Sequence, residues 1–133
     1  MCGSAQLLIG QSKAASDETW KDSATGLTWA IKDNGDDVNW NQAREYCSTS
    51  RLGGYSDWRL PTIDDLEALY DSRLTKEYKA KGPIDLSASC VWSGTTNDSG
   101  EVWSFCFSYG GRSPVTIGHG SRGRALCMRG SGK

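Results

Sequence analysis

The sequence predicts a single α+β domain, in which two helices pack on a small antiparallel sheet amid irregular loops. Three observations predict it. Apolar residues recur at three- and four-residue spacing around 40–47 and again over 62–70, the pattern of amphipathic helices. The run Val102-Trp103-Ser104-Phe105-Cys106-Phe107 alternates as a half-buried strand does. Four cysteines, at 47, 90, 106 and 127, are spread through the same region at spacings that suit disulfides. A chain of 133 residues with 16 glycines, 6 tryptophans and 2 phenylalanines fits one loop-rich domain whose core is pinned by large aromatics.

Residues 1–17 are small and polar apart from Leu7-Leu8-Ile9 and read as a flexible or tethering arm; residues 18–133 read as the domain. Between Trp20 and Ile31, Thr25-Gly26 supplies a turn and Leu27-Thr28-Trp29-Ala30-Ile31 a strand, together a short hairpin entering the core. Asp33-Asn34-Gly35-Asp36-Asp37 reads as an exposed acidic turn, since it lacks the alternate-position ligand spacing of a calcium loop. The first helix starts at Asn39 and turns Trp40, Ala43, Tyr46 and Cys47 to one face. Then comes the densest stretch of the chain, Gly53-Gly54-Tyr55-Ser56-Asp57-Trp58-Arg59-Leu60-Pro61-Thr62. The paired glycines permit positive φ, Tyr55 and Trp58 bring bulk to bury, and Pro61 ends any strand over 57–60. Thr62 and Asp65 then form an N-cap with an acidic first turn for a helix facing Ile63, Leu66, Leu69 and Tyr70 inward. Residues 71–89 read as a long polar surface excursion. Cys90-Val91-Trp92-Ser93-Gly94 and the alternating 102–107 run make a hairpin about the turn Asn97-Asp98-Ser99-Gly100. Tyr109-Gly110-Gly111-Arg112 is a further turn, and Arg124-Ala125-Leu126-Cys127-Met128-Arg129 a final short strand.

Four cysteines allow three pairings, and this layout favours one. Cys90 and Cys106 flank the hairpin and bridge adjacent strands; Cys47 on the first helix and Cys127 in the last strand then close a loop of about eighty residues. Joining the first helix to the last strand, with irregular loops in the second half, is the plan of a C-type-lectin-like domain. Cys2 is left over, before Gly3-Ser4. It suits an acylated lipoprotein cysteine, and equally the tail of a signal region or a cloning remnant. No apolar stretch is long enough to span a bilayer.

The net charge is −1, which argues against a nucleic-acid partner or a general attraction to anionic membranes, leaving a lipid on Cys2 as the membrane link. The average conceals a split. From Val102 onward there are five cationic residues (Arg112, Arg122, Arg124, Arg129, Lys133) and no acid, which predicts a cationic C-terminal surface.

The ordered set Trp40, Ala43, Cys47, then 54–62 with Leu66, then Val91-Trp92-Ser93-Gly94-Thr95, then Trp103 and Cys127-Met128-Arg129 resembles the Lcl C-terminal domain family over about residues 20–130. The Asp57-Trp58-Arg59-Leu60-Pro61 run is the most specific part of the match. The resemblance implies a C-type-lectin-like fold, export from the cell and, for the adhesin that names the family, binding of sulfated glycosaminoglycans as a trimer. The triplets and the Trp-Asn-Asp strand of calcium-dependent lectins are absent, so no metal or other cofactor is expected.

Asp57 and Arg59 read as hydrogen-bonding residues that tie their loop to the core with Trp58 packed between, rather than as a binding pair. Trp92 reads as core, and Trp103 as the more exposed of the two strand tryptophans. His119 is the one candidate general base and lacks an adjacent nucleophile motif, so no enzyme is expected. The reading that follows is an exported binding module in the periplasm, at the cell surface or secreted, for a carbohydrate or anionic polymer. Loops between about 92 and 124 would contact it, with Arg112, His119, Arg122 and Arg124 for anionic groups and Trp103 and Tyr109 for ring faces. A structural module making homotypic or protein-partner contacts is the alternative. With two bridges among five cysteines, thiol titration under denaturing, non-reducing conditions finds one free thiol, that of an unmodified Cys2. A second would break the pairing.

Overall fold

A computed structural model describes residues 18–117 and 122–130; the arm over 1–17, Cys2 and His119 lie outside the described residues. Strands β1 (Thr19–Lys21) and β2 (Thr28–Ala30) are followed by helix α1 (Trp40–Thr49), a 3-10 turn (Leu52–Gly54) and helix α2 (Ile63–Leu69). Then come β3 (Cys90–Thr96), β4 (Glu101–Cys106), β5 (Gly111–Thr116) and β6 (Met128–Arg129). The α+β class is as expected, but there are two antiparallel sheets rather than one, with strand orders β1-β2-β6 and β3-β4-β5.

Both helices start where their side chains satisfy the first unpaired backbone donors. Asn39 Oδ1 accepts from Gln42 N at 2.8 Å while Gln42 Oε1 accepts from Asn39 N at 2.9 Å. Thr62 and Asp65 exchange the same pair of bonds at 3.0 Å each, and the carboxylates of Asp64 and Asp65 sit in the first turn of α2, where the helix dipole favours them. Gly53 and Gly54, at φ 63° and 84°, take the chain out of α1 through a path that a Cβ would strain.

The β3-β4-β5 sheet stands between two cores, and strand alternation divides its side chains between them. The directly paired Val91 and Phe105 enter a cluster with Leu27, Trp29, Leu66, Phe107, Leu126 and Met128. Trp92 and Val102 face the other cluster, with Ala43, Cys47, Trp58, Leu60, Ala125 and Cys127. Trp92 is 2% exposed and its Nε1 donates to the Val38 carbonyl at 2.9 Å, so the ring is buried with its polar atom satisfied.

Four expectations need correcting. Residues 71–89 are not a mere excursion: Ala80, Ile84 and Leu86 are core residues, and backbone bonds from Lys79, Lys81 and Asp85 reach Phe107, Leu69 and Ile31. A few apolar residues spaced among many polar ones suffice here because the backbone is paired on several sides. The Asp33–Asp37 turn is not wholly exposed, since Asp33 is buried and accepts from Gly35 N, Ser87 N and Ser87 Oγ. Tyr46 and Tyr55, assigned to buried faces, are 43% and 44% exposed. Tyr55 stays outside because the Arg129 guanidinium covers its ring, with Cζ 3.8 Å from the centroid. Finally, β5 forms where a turn and loop are expected. It tolerates Pro114, opposite Trp103, because it lies at the sheet edge, where a missing N–H breaks no second ladder.

The bridges are Cys47–Cys127, which closes a loop of 80 residues, and Cys90–Cys106, which closes one of 16. Loop-closure entropy assigns about 4–5 kcal/mol to the first and about 3 kcal/mol to the second. The first joins α1 to the chain's end inside a core; the second joins strands that their ladder already pairs. In chemical denaturation, replacing Cys90 and Cys106 by Ala leaves a cooperative transition shifted by about 3 kcal/mol or less, while replacing Cys47 and Cys127 costs more than 4 kcal/mol once the buried cavity is added.

Candidate functional site

Because Ala43 and Cys47 turn one face of α1 to the core, Asn41, Arg44, Glu45 and Ser48 are left on an adjacent outer stripe. That stripe forms one wall of a groove of about 460 Å³. The segment Trp58-Arg59-Leu60 forms the opposite wall, and Gly94 lies at the third side. The volume lies in the roughly 300–1,000 Å³ range of small-molecule sites.

Each wall is held by the fold. Arg59 exchanges two backbone hydrogen bonds with Met128, both 2.9 Å, and Trp58 Nε1 donates to the Leu52 carbonyl at 3.1 Å. The β3–β4 ladder shifts register between Trp92 and Thr96, and this irregularity is where the sheet meets the groove. Gly94 N donates to the Pro61 carbonyl at 2.7 Å, Trp40 Nε1 to the Ser93 carbonyl at 2.9 Å, and Ile63 N to Thr95 Oγ1 at 3.0 Å. Both helices and the 58–61 segment are thus anchored to the same three residues.

Both arginines that line the groove have guanidinium groups held by the fold. Arg59 donates through Nη1 to the Leu60 carbonyl at 3.2 Å and through Nη2 to the Gly130 carbonyl at 2.7 Å, with Asp65 farther off at 3.9 Å. Arg44 sits over the Trp40 ring, Cζ 4.7 Å from the centroid. Guanidinium forks, an amide, a hydroxyl and the Glu45 carboxylate together offer donors and acceptors to a polyhydroxylated, charged ligand.

The residues singled out from sequence fall elsewhere, in two groups. Trp103, Tyr109 and Arg112 lie along β4, β5 and the turn between them. Trp103 is half-buried, and Tyr109 is 65% exposed. The Arg112 guanidinium lies 5.4 Å from the Trp103 ring centroid and is bonded to Glu67, Nε to Oε2 at 2.7 Å, with Asp64 at 3.5 Å. The hydrogen bond to Glu67 raises the Arg112 pKa further. Arg124 bridges to Val91 on the opposite side of β3, so three strand spacings, about 14 Å, separate it from β5. Its Nε stands 3.3 Å from Asp37 Oδ1 but out of line for a hydrogen bond. Arg122 is exposed.

Asp57 and Arg59 do not pair with each other. Asp57 takes a bidentate bond from Arg129, at 2.6 and 3.1 Å, and so ties its loop to the last strand. Asn41, Arg44, Glu45 and Ser48 escaped the sequence reading. Their signal was a polar stripe at helical spacing, which looks the same as any solvated helix face.

The family model of the Lcl C-terminal domain matches residues 18–129, and the chain belongs to that family. No curated protein matches it. The resemblance drawn from the 54–62 run and its companions is therefore correct.

The hydrogen bond from Arg129 is the chief cause that holds the Asp57 carboxyl below its ordinary 3.8. With the folded value depressed, the pair's stabilisation is present above the unfolded value and is lost as pH falls through the folded one. Thermal unfolding followed from pH 7 to pH 2 shows a loss below about pH 4 that is shallower in Asp57→Asn than in the wild type. Equal slopes would show that the pair has no such linkage.

Proposed function

We propose that this domain is an exported, non-catalytic binding module for a carbohydrate, and that the groove between α1 and the 58–60 segment is where it binds. The groove carries the reading: preset guanidinium groups beside an amide, a hydroxyl and a carboxylate suit the hydroxyl-rich surface of a glycan. Export is supported by the two bridges, which persist in oxidising compartments. The long bridge from α1 to the chain's end supports a C-type-lectin-like arrangement. With four cysteines joined as cystines, the domain offers no thiolate nucleophile among the described residues. A surface patch of tryptophans would favour an assembly module, and all six are buried or half-buried.

A glycan array probed with the oxidised domain at low and physiological salt tests the reading. Selective binding that weakens with salt and falls about tenfold in Arg44→Ala supports the groove. Loss on Arg122→Ala instead would move the site to the segment that carries Arg122. A blank array from folded protein would overturn the carbohydrate reading.

A further inference from the structure

The charges that surround the groove say which kind of glycan it takes. Three of the five C-terminal cations are engaged by carboxylates from earlier in the chain: Arg112 by Glu67 and Asp64, Arg124 by Asp37, and Arg129 by Asp57. A densely sulfated polymer needs a broad run of uncommitted cations, and these three are already neutralised. In the groove itself two arginines share the lining with Glu45, and Asp65 stands 3.9 Å from Arg59. We propose that the groove recognises a single carboxylate-bearing sugar, a uronic-acid residue within an otherwise neutral glycan, and discriminates against polysulfated chains.

The inference rests on the carbohydrate reading above and adds the ligand's charge. A carboxylate is planar and matches a guanidinium fork with two parallel bonds. Arg59 gives an N–H to each of two carbonyls, those of Leu60 and Gly130, which fixes its plane. Arg44 is restrained over Trp40, so little side-chain freedom is lost when it engages an anion. Glu45 has the complementary duty. It accepts hydrogen bonds from sugar hydroxyls and repels further anionic groups, so each added sulfate near it works against binding.

Gly94 supplies a clean test. Its backbone is outside the left-handed region, and an added Cβ would meet nothing nearer than Leu60 Cβ and the Leu60 carbonyl oxygen, both at 3.7 Å. A leucine there projects bulk at the groove without backbone strain, and thermal unfolding confirms that the variant is folded.

Binding is measured by calorimetry against three oligosaccharides of equal length: an unsulfated one containing glucuronate, its carboxyl-reduced neutral form, and its fully sulfated form. The glucuronate oligomer is expected to bind about tenfold or more tighter than the neutral one, the worth of one charge-assisted hydrogen-bonded contact, and the sulfated oligomer no tighter than the glucuronate one. Gly94→Leu abolishes the binding, Arg44→Ala removes the preference over the neutral form, and Glu45→Gln improves the sulfated oligomer relative to the others. Equal affinity for glucuronate and neutral forms overturns this inference and leaves the carbohydrate reading standing. A preference for the sulfated chain, or binding that survives Gly94→Leu in folded protein, also overturns it. No binding of any of the three, with a blank array, removes both.

Discussion

The closing segment, residues 123–130, is the constraint on which the rest of this structure depends. It runs beside β3 through the Val91–Arg124 bridge, then supplies β6 to the other sheet, paired with β2. Between those points Ala125 and Asn34 exchange backbone and side-chain bonds, Cys127 is joined to Cys47 of α1, and Met128 pairs with Arg59. One short stretch therefore touches both sheets, the first helix and the 58–60 segment. Leu126 enters one core while Ala125 and Cys127 enter the other, so the segment also passes between the two. Ordering this many non-local contacts carries a large chain-entropy cost, and the long disulfide offsets part of it by restricting the unfolded chain.

The same segment carries the cations that the charge distribution set apart from the acids. Counted along the chain, the two signs are segregated; in space they are interleaved. Asp37, Asp57, Asp64 and Glu67 come from the turn before α1, the 53–62 run and α2, and each meets an arginine far away in sequence. These pairs are mostly exposed, and each is worth little by itself, about 0–1 kcal/mol. Their combined effect is on the surface: they set carboxylates against three of the cations from which a linear count of charges predicts a cationic face. In the groove, Arg59 and Arg44 are held by carbonyls and a ring rather than by carboxylates at hydrogen-bonding distance.

The groove is a by-product of how three elements meet. Helix α1 must turn Ala43 and Cys47 inward, Trp58 must bury its ring beside them, and the register shift in β3 must bring Gly94 against Pro61. Those demands leave an open trough with polar side chains of α1 on one wall and Trp58 and Leu60 on the other. A loop-borne site could tolerate shifts of its own; a site on a disulfide-anchored helix, a hydrogen-bonded segment and a sheet irregularity is held to its geometry by packing.

By itself the sequence determined the parts whose cause is local. Asn39 with Gln42 and Thr62 with Asp65 start helices because their side chains reach backbone donors three residues away. Gly53 and Gly54 turn because they lack a Cβ, the hairpin forms about 97–100, and the cysteine layout favours the pairing observed once the hairpin is placed. The 54–62 run identified the family for the same reason, being a compact set of such constraints. Only the tertiary structure decided the rest: that a second sheet forms around β6, that β5 is a strand in spite of Pro114, that Ala80, Ile84 and Leu86 are core, and that Arg129 rather than Arg59 holds Asp57. Each depends on partners brought together across tens of residues. A hydrogen bond or an ion pair is set by distance and direction in space, and spacing along the chain records neither.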